Sequence, residues 1–236
     1  MRAPFALALI IYLRLTNVRL CGMINAEREG LIMEYTYEFE KRDVPLEVYE
    51  WDNVWWEQTD KADVPRVLYI GDSISCNARR VATGVAQDTI LFDGLGTSKG
   101  IDNPYFCDTI RLFAAQQGER AAIFLNNGLH GWHLDDETEY KQNYENVLRF
   151  LLDEFADTPT VLVLTTSVRN AERDARVVVR NRAVTELAEK YGLSVIDLYT
   201  PTHEHPELIA ADGVHLTQEG YKLLAGELVA GAKKVI

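Results

Sequence analysis

Residues Arg66 to Ser75 read RVLYIGDSIS, a stretch that begins as a buried strand and ends on hydroxyls. Val67–Ile70 is a short apolar run of β-favouring residues, and Gly71-Asp72-Ser73 interrupts it. A glycine, an acid and a hydroxyl at the tip of a strand make either a turn or a nucleophile at the edge of a sheet. The chain that follows decides between them. Strand-like runs recur at Thr89–Phe92, Ala122–Leu125, Thr160–Leu164 and Ser194–Ile196, with helical patterns near 77–87, 104–117, 137–156 and 170–191. A last helix is expected over 218–233. Tyr140, Tyr144, Val147, Leu148, Leu151 and Leu152 share one apolar stripe at helical spacing. Thr217 is placed to cap the last helix, with Leu216 and Tyr221 as its hydrophobic staple. Five strands alternating with helices predict an α/β fold, a five-stranded parallel sheet covered on both faces. Ligands of such sheets sit beyond the carboxyl ends of the strands. Ser73 lies at that end of the first strand, which favours the nucleophile.

The bulk composition narrows the function classes. The chain has 236 residues, 47% hydrophobic and 25% charged, enough for one globular domain with a sizeable core and a short appended segment. The net charge is −12, and residues 1–32 hold four arginines against two glutamates, so the acidic excess belongs to the body. Such a body excludes nucleic acid and anionic membrane as partners, because nothing neutralises phosphates. Cys21, Cys76 and Cys107 lack CxxC spacing and point to neither a disulfide framework nor a thiolate metal site.

Residues 1–32 read as a signal-like or non-native segment. A basic start precedes an apolar run from Ala3 to Leu13, too short for a bilayer, which needs about 20 residues. No transmembrane segment is expected. That order fits a signal peptide, whereas Arg14, Arg19 and the lack of a small-x-small cleavage site fit it badly. The protein is secreted if residues 1–22 act as a signal, and cytoplasmic if translation starts at Met23 or Met33. Residues 33–63 are rich in aromatics and acids without a clean period, an extension packed over a domain at 64–236. In it, Trp51, Trp55 and Trp56 either stack on a sugar or anchor the extension to the core.

A serine hydroxyl becomes a nucleophile when a base takes its proton, and the base works best when a third group orients it. AADGVHLTQEGY, residues 210–221, supplies such a pair: Asp212 and His215, three apart, just ahead of the terminal helix. In a tight loop the carboxylate reaches one ring nitrogen and turns the other toward Ser73. The last loop of a doubly wound sheet opens on the same edge as the first, so the distance in sequence is no obstacle. The histidines cluster as His130 with His133, His203 with His205, and His215, with Asp135, Asp136 and Asp212 nearby, which allows a metal reading. A metal site leaves the Gly-Asp-Ser strand tip unexplained, so the site is expected to be free of metal and cofactor. Asp72 is expected to bond local backbone at the turn. Arg79 and Arg80 are expected to pair with acids of the extension. Thr165, Thr166 and Arg169, in TTSVRN after the fourth strand, are candidates to line the pocket.

GDSIS combined with DGVHLTQEGY resembles the SGNH hydrolases, the GDSL esterase/lipase family, over about residues 64–233. A GDS triplet alone is weak; paired with DxxH, Leu-Thr and a helix carrying Gly-Tyr it is specific. The resemblance implies a flavodoxin-like three-layer α/β/α sandwich, with Ser73 as nucleophile, His215 as general base and Asp212 as its orienter. It also implies an oxyanion hole made by the Ser73 N–H, a glycine N–H after the second strand and an asparagine side chain after the third. The glycine is Gly100 in GLGTSKGIDNPY, with Gly94 and Gly96 as alternatives. The asparagine departs from the family's Gly-x-Asn-Asp, because the chain reads FLNNGLHGWH. Alignment by chemistry selects Asn127, or else Asn126, whereas alignment on Gly128 puts His130 there. The expected function is a serine esterase acting without cofactor on a small-acyl ester, acetyl, or on a carbohydrate-linked ester. The rivals are an inactive glycan-binding module on the same fold and a metallohydrolase.

Overall fold

The computed structural model describes residues 46–236 apart from position 48. The expectation for residues 1–32, and much of that for 33–63, lies outside the described residues. The elements are β1 (Asp52–Trp55), β2 (Arg66–Gly71), α1 (Ser73–Val85), β3 (Leu91–Thr97), α2 (Phe106–Gln117), β4 (Ala122–Leu125), α3 (Glu137–Glu154), β5 (Thr160–Val163), α4 (Ala171–Tyr191), β6 (Ser194–Ile196), α5 (Tyr199–Glu204) and α6 (Gln218–Ala232). The sheet runs β1-β3-β2-β4-β5-β6. Its last five members are parallel, as expected, in the order of a flavodoxin-like fold.

Alternation along each strand sends side chains to two cores. Val67 and Tyr69 of β2, with Phe92, Phe124 and Val163, face α1 and α6, where Ala78, Ala82, Leu224 and Leu228 pack. Leu68 and Ile70, with Leu95, Ile123 and Leu125, face α2, α3 and α4, where Ile110, Tyr144, Leu148 and Leu187 pack. Both faces of β2 are therefore buried, which is why it reads as a continuous apolar run. Among the described residues no helix is long and apolar enough to cross a membrane.

Three features differ from the sequence expectation. A sixth strand, β1, pairs antiparallel with β3, Asp52 opposite Thr97 and Trp55 opposite Gly94. It lies in the extension, and its mostly exposed residues leave no apolar alternation to detect. An edge strand is held by its backbone ladder and needs no buried face of its own. Strand β3 also continues through Gly94 and Gly96, which the sequence reading left to a loop. Glycine in a strand often marks a close approach: a Cβ on Gly96 would lie 2.1 Å from Cys76 Sγ of α1. The polar stretch near His203 and His205, read as a loop, instead forms α5 and a short 3-10 turn at Pro206–Leu208.

A buried carboxylate fastens the extension to the sheet. Asp93, fully buried in β3, pairs with Arg66 at 3.1 Å and accepts from the Glu57 N–H at 2.7 Å and Gln117 Nε2 at 2.9 Å. Removing one partner of a buried ion pair strands the other charge, at a cost of about 3–5 kcal/mol. Asp93→Ala is expected to lose stability on that scale in a urea melt, and a wild-type midpoint would refute this account of the anchor.

Candidate active site

The chain leaves β2 at Gly71, and Asp72 caps α1 by accepting from the Ile74 N–H at 2.9 Å. That capping turn makes Ser73 the first residue of the helix, at the carboxyl edge of the sheet. The segment before α6 reaches the same edge as a narrow hairpin. Ile209 and Leu216 pair across it, and the Ala210 N–H donates to the His215 carbonyl at 2.7 Å. Gly213 turns it with φ +79°. Thr217 then caps α6 by accepting from the Gly220 N–H at 3.1 Å. Helices α1 and α6 lie side by side, with Asn77 Nδ2 donating to the Tyr221 hydroxyl at 3.2 Å.

This packing puts His215 Nε2 2.9 Å from Ser73 Oγ, and His215 Nδ1 2.8 Å from Asp212 Oδ2. The other Asp212 oxygen accepts from the N–H groups of Val214 and His215, both at 2.9 Å. The Val214 N–H is foremost in holding the Asp212 carboxyl below the usual carboxylate range, with His215 adding to it and partial burial opposing. The carboxylate accepts at Nδ1, so the imidazole presents its Nε2 lone pair to the hydroxyl. A hydroxyl, an imidazole and a carboxylate in this order can shift one proton from Oγ to Nε2 while the ring stays oriented.

Arg169 lies behind the hairpin. Its N–H donates to the Gly213 carbonyl at 2.9 Å and its guanidinium to the Ile209 carbonyl at 2.6 Å. Thr165 and Thr166 are buried and share a narrow crevice with Asp72, Ile74 and Asn126.

The loops after β3 and β4 meet at the same edge of the sheet. A Cβ on Gly100 would lie 3.0 Å from Gly131 Cα, so the two backbones touch. Asn127 Nδ2 donates to the Lys99 carbonyl at 2.9 Å, and the Tyr140 hydroxyl donates to the Asn127 carbonyl. Asn126 Nδ2 bonds the Val163 carbonyl at 2.9 Å and Thr165 Oγ1 at 3.1 Å, which ties β4 to β5. Gly94 and Gly96 lie inside β3, paired on both sides. His130 Nδ1 lies 2.7 Å from Glu47 Oε1, with the Trp51 ring edge-on at 6.2 Å.

Other candidates fall elsewhere. Among the described residues, Arg79 donates to the Asn53 side chain and Arg80 stacks over Trp55 at 4.4 Å, so the contacts with the extension seen there are through neutral groups. Trp56 packs on the core. His133 pairs with Asp102 at 2.6 Å, His205 with Glu207 at 3.1 Å, and His203 stacks on Tyr199. Among the described residues no group of three or more His, Cys, Asp or Glu is arranged to hold a metal ion.

Sequence reasoning passed over Arg180. Its buried guanidinium donates to the carbonyls of Gly128 (3.1 Å), His130 (2.8 Å) and Gly131 (2.8 Å), and pairs with Glu137. An arginine on a helix ordinarily reads as surface, and nothing local marks this one.

The family model described as GDSL-like lipase/acylhydrolase matches residues 69–223, from the β2 strand to the start of α6. The chain belongs to that family. The peptidoglycan O-acetyltransferase OatA of Listeria monocytogenes is 24% identical over 176 residues, 75% of this chain and 25% of that protein. The chain thus spans about a quarter of the length of that curated relative. An acetyl xylan esterase structure shares the fold at TM-score 0.55 and 16% identity, covering 70% of this chain and 98% of its own. So does the C-terminal catalytic domain of Streptococcus pneumoniae OatA carrying a methylsulfonyl adduct, at TM-score 0.58 and 19% identity, covering 73% and 94%.

The hairpin of this GDSL-type chain offers a direct test. A side chain at Gly213 would adopt a left-handed backbone and press on Arg169 Cβ at 3.3 Å. Gly213→Ala is expected to cost about 1–2 kcal/mol and to slow p-nitrophenyl acetate hydrolysis. Unchanged stability and rate would show that the turn does not hold His215.

Proposed function

We propose that the chain is a serine esterase that removes a small acyl group, acetyl, from a carbohydrate-linked alcohol through an acyl-enzyme on Ser73. The observation that carries this reading is the relay of 2.9 Å from Ser73 Oγ to His215 Nε2 and 2.8 Å from His215 Nδ1 to Asp212. Ser73 Oγ attacks the acyl carbon as its proton passes to His215 Nε2, and the carbonyl oxygen becomes an oxyanion. Collapse of that intermediate breaks the ester C–O bond, and His215 returns the proton to the departing alcohol. Water then repeats the sequence on the acyl-enzyme and frees the acid. Asp212, held ionised by its two N–H donors, stabilises the imidazolium formed in each half. The oxyanion is received by the N–H groups of Ser73 and Gly100 and by a side-chain donor from the loop after β4. No step in this scheme calls for a metal or a cofactor.

Acetyl and a sugar alcohol are favoured by the similar proteins, one named an acetyl xylan esterase and two named peptidoglycan O-acetyltransferase. Those last two also favour a second reading, in which a sugar hydroxyl replaces water as the acceptor of the Ser73 acyl group. In the domain organisation proposed here, residues 64–236 form the hydrolase and residues 33–63 extend over its rim.

Wild type is expected to hydrolyse p-nitrophenyl acetate and to be labelled by a fluorophosphonate on the peptide holding Ser73. Ser73→Ala should lose both, and label on another residue would overturn the assignment. Asp212→Asn is expected to lower kcat by about 10²–10⁴-fold while the protein stays folded. Product analysis with an acetylated xylo-oligosaccharide, with and without a second sugar, separates hydrolysis from transfer.

A further inference from the structure

The loop after β4 offers two amide side chains and one imidazole at the carboxyl edge of the sheet. Asn126 Nδ2 spends both of its N–H groups on the Val163 carbonyl and Thr165 Oγ1, and Asn127 Nδ2 spends one of its two on the Lys99 carbonyl. His130 is placed differently. Its side chain is 15% exposed, and its backbone carbonyl is fixed by the buried Arg180, which also grips Gly128 and Gly131 on either side. Its Nδ1 meets Glu47 Oε1 at 2.7 Å, and Glu47 comes from the segment ahead of β1, 83 residues away in sequence. The Trp51 ring stands edge-on to the imidazole and limits its rotation.

Resting on the Ser73 esterase reading, we infer that His130 Nε2 is the side-chain donor of the oxyanion hole and that Glu47 is its positioning residue. The chemistry of imidazole explains why the two belong together. A carboxylate at Nδ1 keeps a proton on that nitrogen, so a neutral ring would leave Nε2 bare and able only to accept. Nε2 donates to an oxyanion only when the ring is an imidazolium. Burial works against that charge, but the hydrogen bond and charge of Glu47 outweigh it, with Asp72 and Glu50 adding to the effect, and the His130 ring is held above its ordinary pKa. Among the described residues, those three carboxylates, from the extension and from the β2–α1 turn, favour the charged ring. Arg180 approaches only its backbone carbonyl. The site then contains two histidines in opposite roles: His215 as proton acceptor from Ser73, and His130 as hydrogen-bond donor to the oxyanion.

A pKa raised by Glu47 keeps His130 protonated to higher pH, so donation is present on the acid side and is lost as pH rises through the pKa of the folded protein. Turnover should therefore fall on the alkaline side for a reason independent of His215. Replacing Glu47 by glutamine moves that fall to lower pH.

The test measures kcat and KM for p-nitrophenyl acetate from acid to alkaline pH in five proteins: wild type, His130→Ala, His130→Asn, Glu47→Gln and the Glu47→Gln/His130→Asn double variant. Thermal melts accompany each. His130→Ala should lower kcat by about 10²–10³-fold with little change in KM. His130→Asn supplies an amide donor that does not titrate; it should recover kcat to within about tenfold of wild type and flatten the alkaline limb. Glu47→Gln should lower kcat and shift the alkaline limb to lower pH in wild type, and do neither in the His130→Asn background. Wild-type kcat in His130→Ala would overturn the inference, and an inactive Asn127→Ala, made as a sixth protein, would then assign the donor to Asn127. An alkaline limb that ignores Glu47→Gln would remove Glu47 from it. If His130→Ala does not fold, the His130→Asn pair carries the same decision. Failure of the underlying esterase reading is separately visible, because turnover would then survive Ser73→Ala.

Discussion

The position of β2 between two parallel neighbours governs the rest of the molecule. Ile70 stands level with Leu95 of β3 and Leu125 of β4, so the three strands end together and deliver Ser73 and the loops at 98–103 and 126–131 to one edge. The chain moves from β2 to β3 in one direction across the sheet and from β3 past β2 to β4 in the other. Right-handed crossovers then require the two connecting helices to lie on opposite faces. That is observed: α1 lies with α6 on one face and α2 on the other, and a crevice opens between them. The final helix returns on the α1 face, which is what carries the hairpin holding His215 to Ser73 across 142 residues.

Arginine does much of the work of fixing the loops. Arg66 donates to the carbonyls of Glu57, Gln58 and Lys61 while pairing with Asp93, and Arg180 gathers three carbonyls after β4 while pairing with Glu137. A planar guanidinium presents five donors in fixed directions, so one side chain can satisfy several buried carbonyls of an irregular loop. Arg180 also lies over the Trp132 and Tyr140 rings, at 4.7 and 4.4 Å from their centroids. The irregular backbone after β4 is thereby held at three carbonyls by one buried side chain. A loop that receives an oxyanion needs this rigidity, since donors that must reorganise during reaction lose their advantage.

The acidic body of the protein is not idle charge at this edge. Asp72 caps α1, Asp212 accepts from two backbone N–H groups and from His215, Asp102 meets His133, and Glu47 meets His130. Each carboxylate near the crevice has a donor, which keeps negative charge localised where it orients an imidazole or a helix. Burial and charge pairing act on His130 in opposite senses, and the pairing prevails.

What could be read without coordinates was local. The apolar run of β2 and the Gly-Asp-Ser break mark the strand tip, and the three-residue spacing of Asp212 and His215 makes their contact a property of one short turn. The alternation of strand and helix was legible because both faces of the sheet are buried. The edge strand β1 was not, since an exposed strand held by backbone bonds leaves no periodic trace. Nor were Arg180 and Glu47, whose partners lie 49 to 52 and 83 residues away. Sequence spacing reports contacts made within a turn or along a face. Which distant side chains meet is decided by strand order and helix packing, and those exist only once the chain has folded.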